Sequence, residues 1–325
     1  MVVVADLNEM LNNLLYVLPD LLAALVIDSQ GLVIGQQSRE EIDEATIGAV
    51  TIAVEPMIKK IKDYTETFFG SGMLDTDDYR LYFMELKSTP WALFVLVTTH
   101  FSNINEIIFY SYITAEKISL ILNERETTLT IPKFSLDGKI ELDTSVSSIG
   151  VKNIFIRVII LGNTEVGKTA LLNSYINGNV LKDYKPTIGV SYEVMDIEIS
   201  KKVKLTFLIF DISGHKSYAK ARSLIYPYTD TVVVLFDSSR IETLNNAKQW
   251  IEESRLHVES EEIPYFLIAN KIDLIFNREA IRPKAKSIAE NYKCNYYETS
   301  AITGEGIDEL FTQLLNNFVN KIKII

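Results

Sequence analysis

The sequence predicts a chain in two parts. An α+β domain spans residues 1–125, a linker spans 126–152, and an α/β domain with a mostly parallel sheet covered by helices on both faces spans 153–325. Three observations carry this reading. The 325 residues exceed a typical single domain of about 100–150 residues. Apolar segments in the first part follow the order helix, two strands, helix, three strands, helix, whereas from Ile154 strands and helices alternate, the pattern of a parallel sheet with helices on both sides. Charge breaks at the same place, with a net of −10 over residues 1–125, −2 over 126–150 and +1 over 151–325.

The first helix is read from Asp6 to Tyr16, where Leu7, Met10, Leu11, Leu14 and Leu15 recur at helical spacing, and Pro19-Asp20 ends it. Leu22–Ile27 and Leu32–Gln36 are strands joined by the turn chemistry of Asp28-Ser-Gln-Gly31. Ser38-Arg-Glu-Glu41 has the form of a capping box opening a long helix. The expected apolar face of that helix is Ile42, Ala45, Ala49, Ile52, Ala53, Met57 and Ile61, with a kink or a division at Pro56. Strands near Phe68–Leu74, Tyr79–Leu86 and Trp91–Thr98 follow. A last helix begins near Asn103, with Ile104, Ile107, Ile108, Ala115, Ile118 and Leu122 facing inward. Together with the hairpin Leu25–Gly35, this order resembles the roadblock/LC7 family over about residues 1–125; the related longin domain begins with the hairpin instead. The resemblance implies a domain that pairs into homodimers and serves as a platform for small GTPases. Nothing in this half is read as catalytic, and His100 is read as a surface residue at a strand end.

Within 126–152, Thr128–Ile131 and Lys139–Leu142 are candidate short strands. Beyond it, strands are expected at Ile154–Leu161, Glu193–Ile199, Val203–Phe210, Thr231–Phe236, Pro264–Ala269 and Asn295–Glu298. Helices are expected at Lys168–Asn177, Ile241–Leu256, Arg278–Asn291 and Gly306–Val319.

Composition narrows the function. With 47% hydrophobic and 23% charged residues the chain can bury real cores. One cysteine excludes a disulfide framework and a Cys-based zinc cluster, and three scattered histidines disfavour a His-rich metal site. A net charge of −11 argues against nucleic acid or anionic lipid as the main partner. No segment reaches the roughly 18 apolar residues of a membrane span. The start lacks the pattern of a signal peptide, position 2 is not Gly, and the tail has no lipidatable Cys. The expectation is a soluble, cytoplasmic protein with no intrinsic membrane anchor.

The chemistry is concentrated in the second part. Gly162-Asn163-Thr164-Glu165-Val166-Gly167-Lys168-Thr169 leaves an apolar strand and opens a helix, the context of a phosphate-binding loop. Its glycines let the backbone wrap close to phosphate, and its N–H groups and the helix N-terminus point at the anion. Lys168 is placed to bridge the terminal phosphates and the Thr169 hydroxyl to bind Mg²⁺. Four further motifs follow in order: Lys185-Pro-Thr187-Ile-Gly189, Asp211-Ile-Ser-Gly214-His215, Asn270-Lys271-Ile-Asp273 and Glu298-Thr-Ser300-Ala301. With these, residues 153–320 resemble a small GTPase of the Ras superfamily, and Tyr184–Tyr192 resembles its Rab-type branch.

The resemblance implies that Thr187 gives Mg²⁺ a second hydroxyl and the γ-phosphate its backbone N–H. It implies that Asp211 holds Mg²⁺ through water and that the Gly214 N–H contacts the γ-phosphate. It also implies that Asp273 accepts from guanine N1 and N2, that Asn270 fixes the base, that Lys271 lies along its face, and that the Ala301 N–H, beside Ser300, reads the guanine oxygen. Adenine would leave polar groups of that pocket unpaired. The implied ligands are GTP, GDP and Mg²⁺, with regulator and effector proteins as partners.

Four positions depart from the family pattern. His215 stands where Gln usually orients the attacking water, and two readings stay open: a water-orienting group working with an activating partner, or a surface residue that leaves hydrolysis slow. Glu165 puts a carboxylate in the phosphate loop and is expected to point to solvent. Val180 replaces an aromatic that often stacks on guanine, and Ile302 replaces a frequent Lys after Ser-Ala. Cys294 reads as a buried residue, His257 as solvated, Trp250 as core or interface, and Arg222 as a possible partner contact. The function read from the sequence is a slowly hydrolysing GTP switch fused to its own dimerisation or regulatory domain. The alternative is a GTP-binding scaffold that does not hydrolyse, and an ATP-using enzyme is disfavoured by Asn270–Asp273.

Overall fold

The computed structural model describes residues 2–40, 44–65, 70–86, 92–131, 133–134, 140–141, 152–178, 190–200, 203–215, 218–260 and 262–322. The chain divides into two compact units, Met1–Val146 and Ser147–Ile325.

The first unit contains α1 (Val2–Val17), β1 (Leu21–Asp28), β2 (Val33–Ser38), α2 (Glu44–Thr65), β3 (Ser71–Asp75), β4 (Arg80–Leu86), β5 (Ala92–Thr98) and α3 (Ile104–Leu122). The strands form one antiparallel sheet in the order β2-β1-β5-β4-β3. Strand β5 is buried along its whole length, so it reads as a continuous apolar run rather than an alternating one. Its alternate residues Leu93, Val95 and Val97 pack with Ala23, Leu25 and Ile27 of β1 against α2. Helix α1 lies against β1 and β2, and α3 lies against α1 and β4, with Leu7, Met10, Leu11 and Leu14 fully buried.

The face that α2 buries differs from the expected one. Ile47 and Ile58 are buried and Val50 and Val54 pack beside them, while Ala49, Ile52, Ala53 and Met57 are exposed. Both stripes are apolar, so periodicity alone does not choose between them. The observed seating brings Gly48 against the β1–β2 turn, so closely that a Cβ on Gly48 would lie 2.7 Å from the Gly31 carbonyl oxygen. The side chains of Ile42, Ala45 and Ile61 lie outside the described residues. Pro56 does not divide the helix. Ser38-Arg-Glu-Glu41 is not its capping box. Ser38 ends β2 opposite Ala23, the Arg39 N–H donates to the Leu22 carbonyl at 2.8 Å, and Arg39 Nε donates to the Leu21 carbonyl at 3.0 Å. Sheet pairing thus captures the backbone that a cap would need.

Helix α3 begins as expected, with Asn103 accepting from the N–H groups of Asn105 and Glu106. Its burial extends beyond the expected stripe, to Tyr110, Tyr112 and Lys117. Residues 126–131 run over the helices: Lys117 Nζ donates to the Thr128 carbonyl at 2.6 Å, and Asn13 Nδ2 donates to the Leu129 carbonyl at 2.9 Å. Thr128–Ile131 is not a strand, while β6 (Lys133–Phe134) pairs with β7 (Ile140–Glu141).

The second unit contains β8 (Lys152–Leu161), α4 (Lys168–Asn177), β9 (Val190–Ser200), β10 (Val203–Ile212), α5 (Ala219–Ile225), β11 (Thr231–Asp237), α6 (Ile241–His257), β12 (Tyr265–Asn270), α7 (Arg282–Asn291), β13 (Asn295–Glu298) and α8 (Ile307–Ile322). The sheet order is β13-β12-β11-β8-β10-β9, parallel except for the edge strand β9. Helix α5 was not expected. The expected helix Arg278–Asn291 divides into a 3₁₀ turn at Arg278–Ala280 and α7, because Pro283 occupies the first turn of a new helix. Among the described residues, no helix is long and apolar enough to cross a membrane.

The seating of α2 is open to measurement. Ile47→Ala should lower unfolding stability by about 2–4 kcal/mol in urea titration, whereas Ala53→Ser on the opposite face should stay within about 0.5 kcal/mol.

Candidate functional site

Five parallel strands end on one edge of the second sheet, where α/β folds place their ligands. The chain leaves β8 through Gly162, whose φ of +142° admits little but glycine and whose Cβ would collide with the Leu235 carbonyl. The loop closes at Gly167, again left-handed, with φ +97° and packed on the Asn270 side chain. Helix α4 starts at Lys168, so its free N–H groups face the loop. Lys168 is buried and its Nζ donates to the carbonyls of Gly162 and Asn163, each at 2.9 Å. Burial pushes this ammonium down to about 8, partly offset by the negative charge of Asp211.

Asp211, near the end of β10, meets Thr169: the Thr169 hydroxyl donates to Asp211 Oδ2. A hydroxyl and a carboxylate side by side are the hard oxygen donors that suit Mg²⁺. Gly214 presses on the phosphate loop, and a Cβ there would collide with the Gly162 carbonyl. His215 is half-buried, its backbone N–H 3.4 Å from Ser213 Oγ. Thr187 and Val180 lie outside the described residues.

On the other side, Asn270 is fully buried. Its Nδ2 donates to the Val166 carbonyl at 2.9 Å and its Oδ1 accepts from the Thr299 hydroxyl at 3.1 Å. Ser300 Oγ donates to Asp273 Oδ1 at 2.5 Å, which holds an exposed carboxylate beside the buried Ala301. Lys271, at φ +62°, pairs with Asp237 at 2.9 Å. Ile302 is exposed next to Ala301. Two bidentate pairs brace these loops: Arg278 to Glu305 at 2.6 and 2.9 Å, and Arg282 to Glu298 at 2.6 and 2.7 Å. The second holds the Glu298 carboxyl below its usual range.

The structure therefore brings residues 162–169, 211, 214, 270–273 and 300–301 to one edge. It also adds residues that sequence reading missed. Asp237, buried at the end of β11, accepts from Lys271 and Ser239 and pairs with Arg240 at 3.0 Å. Burial raises its carboxyl, yet the bonds from Ser239 and Lys271 prevail and the net shift is downward. Arg240 reaches on to Glu165 and to the Thr164 carbonyl, both at 3.4 Å. Glu165 points to solvent, and its left-handed φ of +65° strains a non-glycine residue. A carboxylate closing the apolar strand Thr231–Asp237 was the available signal for Asp237. Arg222 is buried, not a surface contact for partners. Cys294 is half-buried, and burial pushes its thiol up to about 11, which disfavours the reactive thiolate.

A parallel sheet whose first strand leads through a phosphate-type loop into a helix is the architecture of a P-loop α/β domain. Residues 157–320, half of the chain, match the Ras family, and the chain belongs to that family. It is similar to Ras-related protein RabJ of Dictyostelium discoideum, at 34% identity over 158 residues, covering 49% of this chain and 61% of the relative. It is also similar to DnaJ homolog subfamily C member 27 of Gallus gallus, at 32% identity over 165 residues, covering 49% of this chain and 60% of the relative. The chain thus spans less than two thirds of the length of these relatives.

The lowered Lys168 ammonium allows a pH test of its expected role as a phosphate ligand. A bound phosphate favours the ammonium, so the bound state titrates above the free value of about 8. GDP affinity should be full below that pH and fall above it, by up to about tenfold per unit. Titrations between pH 7 and 9 check this, and Lys168→Arg should flatten the decline.

Proposed function

We propose that the chain is a guanine-nucleotide switch that binds GTP and GDP with Mg²⁺ and hydrolyses GTP slowly. The observation that carries this is the convergence of the Lys168 loop, the Thr169–Asp211 pair and the Asn270–Asp273–Ala301 cluster on one sheet edge. Lys168 and the loop N–H groups hold the terminal phosphates. Thr169, Thr187 and Asp211 hold Mg²⁺, which neutralises charge on the phosphates when bound. The Gly214 N–H binds the γ-phosphate, and His215 orients the attacking water. Loss of the γ-phosphate releases the Thr187 and Gly214 loops, which is the switch. Asp273 and the Ala301 N–H read opposite edges of guanine, with Asn270 and Lys271 fixing the base.

For residues 1–125 we propose a roadblock/LC7-like domain that forms a homodimer and serves as a regulatory platform. The element order supports this. So does β3 at the sheet edge, with Met73 and Leu74 exposed on it and Ile52 and Met57 exposed on α2. Strand edges of this kind pair with a second copy.

Three measurements test these readings. GTP should bind far more tightly than ATP, Asp273→Asn should shift preference toward xanthine nucleotides, and single-turnover hydrolysis should run near about 10⁻⁴ per second without an activator. ATP binding as tight as GTP would overturn the guanine assignment, and no turnover at all would favour the scaffold reading. The full chain should sediment as a dimer at micromolar concentration and Leu74→Lys as a monomer; a monomeric wild type would remove the dimer.

A further inference from the structure

Arg222 lies on α5, outside every motif of the nucleotide site, yet it is only 2% exposed. Its Nη1 donates to the main-chain carbonyls of Ser213 at 3.4 Å and His215 at 3.2 Å, on either side of Gly214. Its Nε pairs with Glu253 on α6 at 2.8 Å, and Glu253 also accepts from the Tyr226 hydroxyl at 2.9 Å. The guanidinium stacks 4.7 Å from the ring centre of Trp250, also on α6. Trp250 Nε1 in turn donates to Asn163 Oδ1 of the phosphate loop at 3.0 Å. A continuous path therefore runs from Asn163 through Trp250 and Arg222 to the backbone flanking Gly214.

A buried cation is costly unless it is fully partnered, and an apolar residue could anchor α5 without that cost. Tyr218, Ala221, Ile225 and Tyr226 already bury α5 by apolar contact. What Arg222 adds is a fixed position for the 213–215 backbone relative to the phosphate loop.

We infer that Arg222 is a positioning residue that, through Trp250 and Asn163, clamps the 213–215 loop to the phosphate loop, so that γ-phosphate binding and the placing of His215 are set together. This rests on the reading that residues 213–215 face the γ-phosphate. A guanidinium forks to two carbonyls and a carboxylate at once, whereas a lysine ammonium is a point donor on a flexible stem. Arg222→Lys should therefore restore only part of what Arg222→Ala removes.

The test uses the full chain with Arg222→Ala, Arg222→Lys and Trp250→Phe, and measures affinity for GDP and for GTPγS, single-turnover GTP hydrolysis and thermal stability. Phe keeps a ring under the guanidinium but cannot donate to Asn163. Arg222→Ala should leave GDP affinity within about threefold, while GTPγS binding and hydrolysis each fall by about tenfold or more. Arg222→Lys and Trp250→Phe should show the same selective loss to a smaller degree. Equal weakening of GDP and GTPγS, or an unchanged ratio of the two, would overturn the clamp. If Arg222→Ala does not fold, the ratio in Trp250→Phe decides. A wild-type chain that binds no guanine nucleotide would sink the switch reading itself. One that binds but does not hydrolyse would leave the affinity ratio as the test.

Discussion

The Asn270 amide is removed from solvent and hydrogen-bonds in two directions, to the phosphate loop at Val166 and to Thr299 after β13. A buried amide left half-satisfied costs about 1–3 kcal/mol, so both partners must hold their places. Three loops from β8, β12 and β13 are thereby fixed in one geometry. Gly167 obeys the same constraint, since a side chain there would strike the Asn270 amide. The spacing between the Gly162–Thr169 loop and the Asp273–Ala301 cluster is held by this one side chain.

Around that anchor, charge is held in place by pairing. Lys168 is folded back onto carbonyls of its own loop, so its burial is tolerated. Asp237 gathers Lys271 and Arg240, and Arg240 extends that linkage to Glu165. The carboxylate in the phosphate loop thus faces an arginine, and its repulsion of a bound phosphate is reduced.

The phosphate loop, Asp211 and the Asn270–Asp273 run were legible because each is contiguous and sits where a strand ends. The helix α3 cap at Asn103 was legible for the same reason: capping is local. The misreadings are non-local. Ile47, Val50, Val54 and Ile58 face inward on a helix whose Gly48 packs closely against the Gly31 turn, a tertiary contact that helical periodicity does not show. Ser38 had the spacing of a cap but was taken by the ladder with Ala23. Trp250 and Asn163 are 87 positions apart, and no spacing rule connects them.

Lys117 bears on where the chain can be cut. It is buried in the middle of α3, yet its hydrogen bonds to Thr128 come from beyond the helix. Asn13 likewise reaches forward to Leu129. A fragment ending at Arg125 would strip two acceptors from a buried ammonium and one from a helix amide, and removing partners from a buried charge is costly. A cut after Ile131 keeps all three bonds. The end of α3 is therefore not the boundary of the N-terminal unit: the six residues that follow the helix and its turn are a strap that belongs to it.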